Sequence, residues 1–195
     1  MNEMLDRIRK YTADELGVSG SHGMDHTLRV FSLCRIIGNE EGADMRILLP
    51  AALLHDIARP LEKERGVPHE EEGARIAVRY LTSIGYDPEL IGPVASAILT
   101  HRFTTKVKPK TLEARVLSDA DKLDAMGAVG IARTFLRAGE HAGGIDDAVA
   151  HFHEKLLKLP DHMYTGTGRK IAAERKLFLV KFLETLERER ETGGT

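Results

Sequence analysis

Apolar residues recur at helical spacing along most of the chain. Near the N-terminus, Met4, Leu5, Ile8, Tyr11 and Leu16 form one stripe, a pattern that is typical of an amphipathic helix. Segment 47–58 differs because it is apolar almost all round, as expected of a helix that is buried at the centre of a core. The pattern therefore predicts several amphipathic helices around one central, fully buried helix.

Capping and helix-breaking residues divide the chain further. Gly42 ends one periodic segment, Asp44 can cap the next, and Asp87-Pro88 is a clear helix start. No run of period-two alternation predicts a strand, so we predict an all-α fold as a single domain over 1–195. We expect loops at 60–69 and 102–110, and helices at about 4–16, 24–40, 47–58, 70–84, 88–100, 112–137, 145–158 and 168–190.

Composition narrows the class of protein. The chain has 195 residues, 28 Lys+Arg and 30 Asp+Glu, which leaves a net charge of −2. It therefore lacks the excess of basic residues that usually accompanies nucleic-acid binding, and we expect no nucleic-acid partner. No apolar run is long enough to cross a membrane and the first residues lack the apolar core of an export signal, so we expect a cytoplasmic protein. One cysteine excludes an internal disulfide framework and any multi-cysteine metal site.

The first sign of chemistry is His55-Asp56, two adjacent residues at the end of the most apolar segment. Burying an ionised carboxylate there is costly unless a cation or hydrogen bonds compensate. In the alternative interpretation, Asp56 caps the following loop and His55 is an ordinary core histidine. The dipeptide by itself does not separate the two.

Two further residues favour a metal site. His26 opens a predicted helix, and Asp121 lies in the apolar helical stretch Ser118-Asp-Ala-Asp-Lys-Leu-Asp. Three helices could therefore bring His26, His55, Asp56 and Asp121 to one point. Two imidazoles and two carboxylates suit a divalent ion such as Mn, Fe, Co or Ni, and less firmly Mg.

The order of these residues resembles the H…HD…D pattern of the HD-domain metal-dependent phosphohydrolases. His26 lies in HTLRV, His55-Asp56 in LLHDIA and Asp121 in DADKLDAM. Flanking segments resemble the small stand-alone subgroup that includes nucleotide pyrophosphohydrolases. The resemblance implies a helical HD domain with its metal-site core at about 20–138 and a C-terminal helical layer at 139–195.

The resemblance also assigns roles to other polar residues. His69 and His101 lie where some relatives hold a second metal; alternatively they bind substrate phosphate or donate a proton. We expect one ion, and a second remains open. Asp119 would orient a ligand or accept a proton from the attacking water, and His22 is a secondary candidate beside His26. Candidate phosphate contacts, because cationic side chains pair with phosphate oxygens, are Arg59, Arg102 and Lys122.

The function that follows is metal-dependent hydrolysis of a phosphate ester or anhydride in a small phosphorylated substrate. A nucleotide is the expected substrate, which would make the protein a nucleoside triphosphate pyrophosphohydrolase or a nucleotidase. Two alternatives stay open: a di-iron oxygenase of HD type, and a non-catalytic regulatory module that binds nucleotide. A homo-oligomer is also left open.

Overall fold

The structure, a computed structural model, describes residues 2–17, 23–103 and 107–192, and all regular structure within these ranges is helical. The prediction of an all-α fold is therefore confirmed. The α-helices in these ranges are α1 (Asn2–Leu16), α2 (Met24–Glu41), α3 (Met45–Leu54), α4 (Arg59–Arg65), α5 (His69–Ser83), α6 (Pro88–Thr100), α7 (Leu112–Asp124), α8 (Gly127–Glu140), α9 (Ile145–Glu154) and α10 (Gly166–Thr192), with a 3₁₀ helix at Leu156–His162.

The chain divides into two compact units, Met1–Asp121 and Lys122–Thr195. In the first unit, α3 packs against α1, α2 and α6, and every residue from Leu48 to Leu54 is buried. This is the central apolar helix that the sequence predicts. Its position matters for function because its C-terminal end carries His55 and Asp56 into the core.

The predicted caps form where the sequence places them. The Asp44 carboxylate accepts a hydrogen bond from the backbone N–H of Arg46 at 2.9 Å, and Asp87 accepts one from Glu89 at 3.0 Å. Gly42 ends α2 with φ 78°, a left-handed conformation that favours glycine. These local signals therefore fix the starts of α3 and α6 and the end of α2.

Other predicted boundaries are wrong. Segment 60–69 is not all loop, because α4 occupies Arg59–Arg65, begins with a proline in its first turn and ends at Gly66 with φ 69°. The central helix stops at Leu54, and 55–58 form turns. The predicted helix 112–137 is broken after Asp124, where Gly127 adopts φ 70°. The predicted helix 145–158 also ends early, because its last turn gives way to the 3₁₀ helix.

The second unit contains α8, α9, the 3₁₀ helix and α10. Its core includes Phe152, which is fully buried and lies with its ring centroid 6.1 Å from those of Phe135 and Phe182. Among the described residues, no helix combines the length and the apolar character needed to cross a bilayer. Our subdivision of the domain at residue 139 stays a prediction.

Candidate metal centre

The end of α3 sets the orientation of His55. This residue follows the last helical residue and keeps helical dihedral angles, so its Nδ1 lies 2.8 Å from the carbonyl oxygen of Ala52. A ring nitrogen that faces a carbonyl must donate, which places the proton on Nδ1. Nε2 of His55 is then left with a lone pair that points into the core.

Four predicted ligands meet at this lone pair, all within the first unit. His55 Nε2 lies 3.2 Å from His26 Nε2, which is itself 3.5 Å from Asp56 Oδ2 and 3.4 Å from Asp121 Oδ1. His55 Nε2 is 3.7 Å from the same Asp56 oxygen. We call these four side chains the primary cluster. His26, His55 and Asp56 are buried, and Asp121 is 22% exposed, which leaves one side open to solvent.

Two more histidines face the other oxygen of Asp56. His69 Nε2 lies 3.3 Å from Oδ1 and His101 Nε2 lies 3.7 Å from it. His101 repeats the arrangement of His55, because it follows the end of α6 and its Nδ1 lies 2.6 Å from the Ile98 carbonyl oxygen. Asp56 therefore separates the primary cluster on Oδ2 from a histidine pair on Oδ1.

Burial and charge shift the protonation of these groups. Burial lowers the pKa of His55 to about 4, against the opposing charge of Asp56, so its imidazole is neutral near pH 7. Burial also lowers the pKa of His69. For His101, the carboxylates of Asp56 and Asp121 outweigh burial and raise the pKa. Burial opposes ionisation of Asp121, but His26 holds its pKa well below the ordinary value.

An arginine–glutamate network borders the histidine pair. Arg59 Nε donates to Asp56 Oδ1 at 2.9 Å, and its Nη1 donates to Glu62 at 2.9 Å. Nη1 of Arg102 donates to Glu62 at 3.0 Å and to Glu70 at 3.1 Å. Nδ1 of His69 lies 3.1 Å from Glu62 and 3.2 Å from Glu70. Neither glutamate was predicted from the sequence; the i, i+3 spacing of Arg59 and Glu62 would have indicated Glu62 had 60–69 been assigned as helix, whereas no local spacing indicates Glu70.

The remaining predicted site residues lie in different surroundings. Asp119 is buried. Burial raises the pKa of the Cys34 thiol, and the negative charges of Asp121 and Asp119 raise it further. Lys122 belongs to the second unit, where its ammonium lies 4.7 Å from the ring centroid of Tyr164. His22 lies outside the described residues.

The donor atoms of the primary cluster fit a divalent cation. Neutral imidazole nitrogens and carboxylate oxygens are the ligands that Mn, Fe, Co and Ni share. His26, His55 and Asp121 each offer one such atom, all within 4.8 Å of one another, and His55, Asp56 and His101 form a second group of this kind. Because His55 presents a lone pair beside two carboxylates, a cation would balance this concentration of acceptors.

Comparison with known proteins agrees with this geometry. The family model described as HD domain matches residues 23–126. YpgQ of Bacillus subtilis is 36% identical over 183 residues, which cover 88% of this chain and 85% of YpgQ. The crystal structure of YpgQ in complex with ADP aligns with TM-score 0.80 at 34% identity, covering 95% of this chain and 97% of that one.

Two further proteins are similar to this chain, one over most of its length and one over about half. A predicted HD superfamily hydrolase from an uncultured Thermotogales bacterium aligns with TM-score 0.72 at 33% identity, over 97% of this chain and 92% of its own. Ribonuclease Y of Sulfurovum is 34% identical over 106 residues, which are 54% of this chain but only 19% of that enzyme. The likeness to the ribonuclease is therefore confined to one part of a much longer protein.

Proposed function

The chain belongs to the HD-domain family, and on that basis we propose that it is a metal-dependent phosphohydrolase acting on a nucleotide. The fold is that of an HD-superfamily hydrolase. YpgQ, a relative that matches most of the chain, has been crystallised with ADP, which supports a nucleotide as substrate. The reaction we propose is hydrolysis of a phosphate ester or anhydride, with release of pyrophosphate or orthophosphate.

One observation carries the proposal: donor atoms from three separate places in the sequence meet at His26 Nε2. His26 comes from the start of α2, His55 and Asp56 from the end of α3, and Asp121 from α7. Nε2 of His26 lies 3.2–3.5 Å from a donor atom of each of the other three residues. Placing the buried carboxylate of Asp56 and the partly exposed one of Asp121 beside two imidazoles serves no packing purpose. Such an arrangement is expected where a divalent ion binds.

These four residues would hold Mn, Fe, Co or Ni, or less favourably Mg, with one ion as the expected number. When bound, such an ion supplies a Lewis acid that polarises a phosphoryl oxygen and makes water a better nucleophile at neutral pH. Nδ1 of His55 and of His101 faces a backbone carbonyl oxygen, and Nδ1 of His69 lies beside two glutamate carboxylates. All three imidazoles therefore direct Nε2 towards Asp56, one as a ligand of the primary cluster and two as its neighbours.

The residues around the ligands complete the proposed machinery. The Nε2 of His69 or His101 would protonate the leaving oxygen, since imidazole titrates near neutral pH. Arg59 and Arg102 would orient phosphate oxygens, and Lys122 is a further candidate for that contact. Asp119, buried two residues before Asp121, would orient that ligand or accept a proton from the attacking water.

The test is a panel of nucleoside mono-, di- and triphosphates and a short RNA, assayed with Mn, Co, Ni, Fe and Mg. We expect metal-dependent hydrolysis of a nucleotide by the wild type and at least a hundredfold loss in Asp56→Asn, because a ligand is lost. Asp161→Asn, which changes an exposed aspartate, is the matched control and should retain full rate. Pyrophosphate as product would indicate a pyrophosphohydrolase, and orthophosphate a nucleotidase.

Three results would contradict the proposal. If Asp56→Asn retained hydrolysis, the primary cluster would be excluded as the metal site of the reaction. Tight nucleotide binding without hydrolysis under any metal would favour the non-catalytic module. Oxygen consumption by the iron-loaded protein, without phosphate release, would favour the di-iron oxygenase.

A further inference from the structure

The Oδ1 face of Asp56 has the donor types for a second metal ion. Nε2 of His69 and of His101 both lie near this oxygen, and neither has a hydrogen-bond partner within the described ranges. Two imidazole nitrogens and one carboxylate oxygen are a credible partial ligand set for a divalent cation. The types of donor atom alone therefore do not determine whether the chain binds one metal ion or two.

A protein cation already occupies this face. Arg59 donates from Nε to Asp56 Oδ1 at 2.9 Å, a shorter distance than either histidine reaches. The guanidinium is always charged, so it places a fixed positive charge beside the oxygen that a second ion would need. A divalent ion bound there would have to displace Arg59 or sit next to a like charge.

Arg59 is held in this position by a closed set of ion pairs. Its Nη1 donates to Glu62 Oε2 at 2.9 Å, while the other oxygen of Glu62 accepts from Arg102 at 3.0 Å. Arg102 also donates to Glu70 at 3.1 Å. Both glutamates of the group Glu62, His69 and Glu70, which by spacing alone could hold an ion, are therefore already paired with arginines.

We propose that Arg59 takes the place of a second metal ion, so that the chain binds a single divalent cation, at the primary cluster. The proposal, which rests on the proposed function, makes Arg59 a residue that determines metal number. It also explains how one metal ion would be enough for the proposed reaction. The guanidinium, 23% exposed, would provide the second positive charge for phosphate oxygens, in the fork geometry that suits them. His69 and His101 would then stay available for the substrate.

The experiment measures metal number directly. Wild type, Arg59→Lys, Arg59→Met and Arg59→Gln are dialysed against excess MnCl₂, and bound Mn per chain is measured by mass spectrometry. Electron paramagnetic resonance then distinguishes an isolated Mn from an exchange-coupled pair. We expect one isolated Mn in the wild type and in Arg59→Lys, and two coupled Mn in Arg59→Met and Arg59→Gln. Arg65→Met, an exposed arginine in the same helix, is the matched control and should bind one.

Each other outcome has a definite meaning. Two Mn per chain in the wild type would overturn the role of Arg59 and leave the proposed function standing. A single Mn in both neutral variants would also overturn it, because removing the charge would have opened no site. Wild type that binds no Mn would refute the metal centre itself. Circular dichroism identifies a variant that fails to fold. If Arg59→Met fails to fold, the number of Mn bound by the wild type and by Arg59→Gln, which keeps a donor for Asp56, decides whether Arg59 determines metal number.

Discussion

Acid should destabilise the metal-free protein through His55, and removal of that imidazole should abolish part of the effect. His55 is fully buried, and burial lowers its pKa in the folded protein from 6.5 to about 4. The unfolded chain then binds this proton more readily than the folded one. The contribution of neutral His55 to the free energy of unfolding is fully present above pH 6.5, the pKa of this group in the unfolded chain. It is lost as the pH falls from 6.5 towards 4.

The size of the effect follows from proton linkage. One pKa unit corresponds to about 1.4 kcal/mol. Integration for a single group with these two pKa values gives a loss of about 2 kcal/mol between about pH 7.5 and about pH 5. His69, whose pKa burial also lowers, adds to the loss, whereas His101, whose pKa the neighbouring carboxylates raise, opposes it. A comparison of variants is therefore needed to isolate His55.

The assay is urea unfolding in the presence of a chelator at these two pH values. His55→Asn keeps a donor near the Ala52 carbonyl oxygen but cannot titrate. We expect its loss of unfolding free energy on acidification to be smaller than that of the wild type by about 2 kcal/mol. His153→Asn, at an exposed position, should behave like the wild type. An identical loss in wild type and His55→Asn would refute the reasoning.

Four further predictions concern stability and are read out by urea unfolding. Gly38→Ala places a Cβ against the Leu48 side chain, where α2 packs on α3, and should cost about 1–2 kcal/mol. Gly139→Ala, in the last turn of α8 and with no described atom near its Cβ, should stabilise by about 0.4–1 kcal/mol; equal effects would contradict both. Phe152→Ala, which removes the fully buried ring from the cluster with Phe135 and Phe182, should cost about 3–5 kcal/mol, and a loss below about 1 kcal/mol would show that the cluster is not tightly packed. Mn at a hundred times its dissociation constant should stabilise the wild type by about 2.7 kcal/mol, and a similar gain in Asp121→Asn would contradict its role as ligand.

Most helices were predictable because their signals are local. The stripe of α1, the cap at Asp44 and the Asp87-Pro88 start each depend on residues within one or two turns. α4 was missed because it is short, charged and without buried residues, so hydrophobic periodicity cannot detect it. The break after Asp124 was missed because the periodicity that predicts one helix over 112–137 does not reveal that Gly127 adopts a left-handed φ of 70°.

The candidate ligands could be chosen from the sequence because His55-Asp56 is an unlikely pair at the end of an apolar helix, and because the order of motifs resembles a family. The sequence could not predict that the primary cluster lies on one oxygen of Asp56 and the pair of His69 and His101 on the other. Which oxygen of a carboxylate faces which histidine depends on where α2, α5, α6 and α7 deliver their side chains. The network through Glu62 and Glu70 was equally out of reach, since it joins residues of α4 and α5 to Arg102 beyond α6.

The most direct measurement is anomalous diffraction from crystals of the protein grown with Mn. We expect one strong anomalous peak, within about 2.0–2.3 Å of His26 Nε2, His55 Nε2, an Asp56 oxygen and an Asp121 oxygen. A peak that contacts none of these atoms, or no peak at all in a folded protein saturated with Mn, would contradict it.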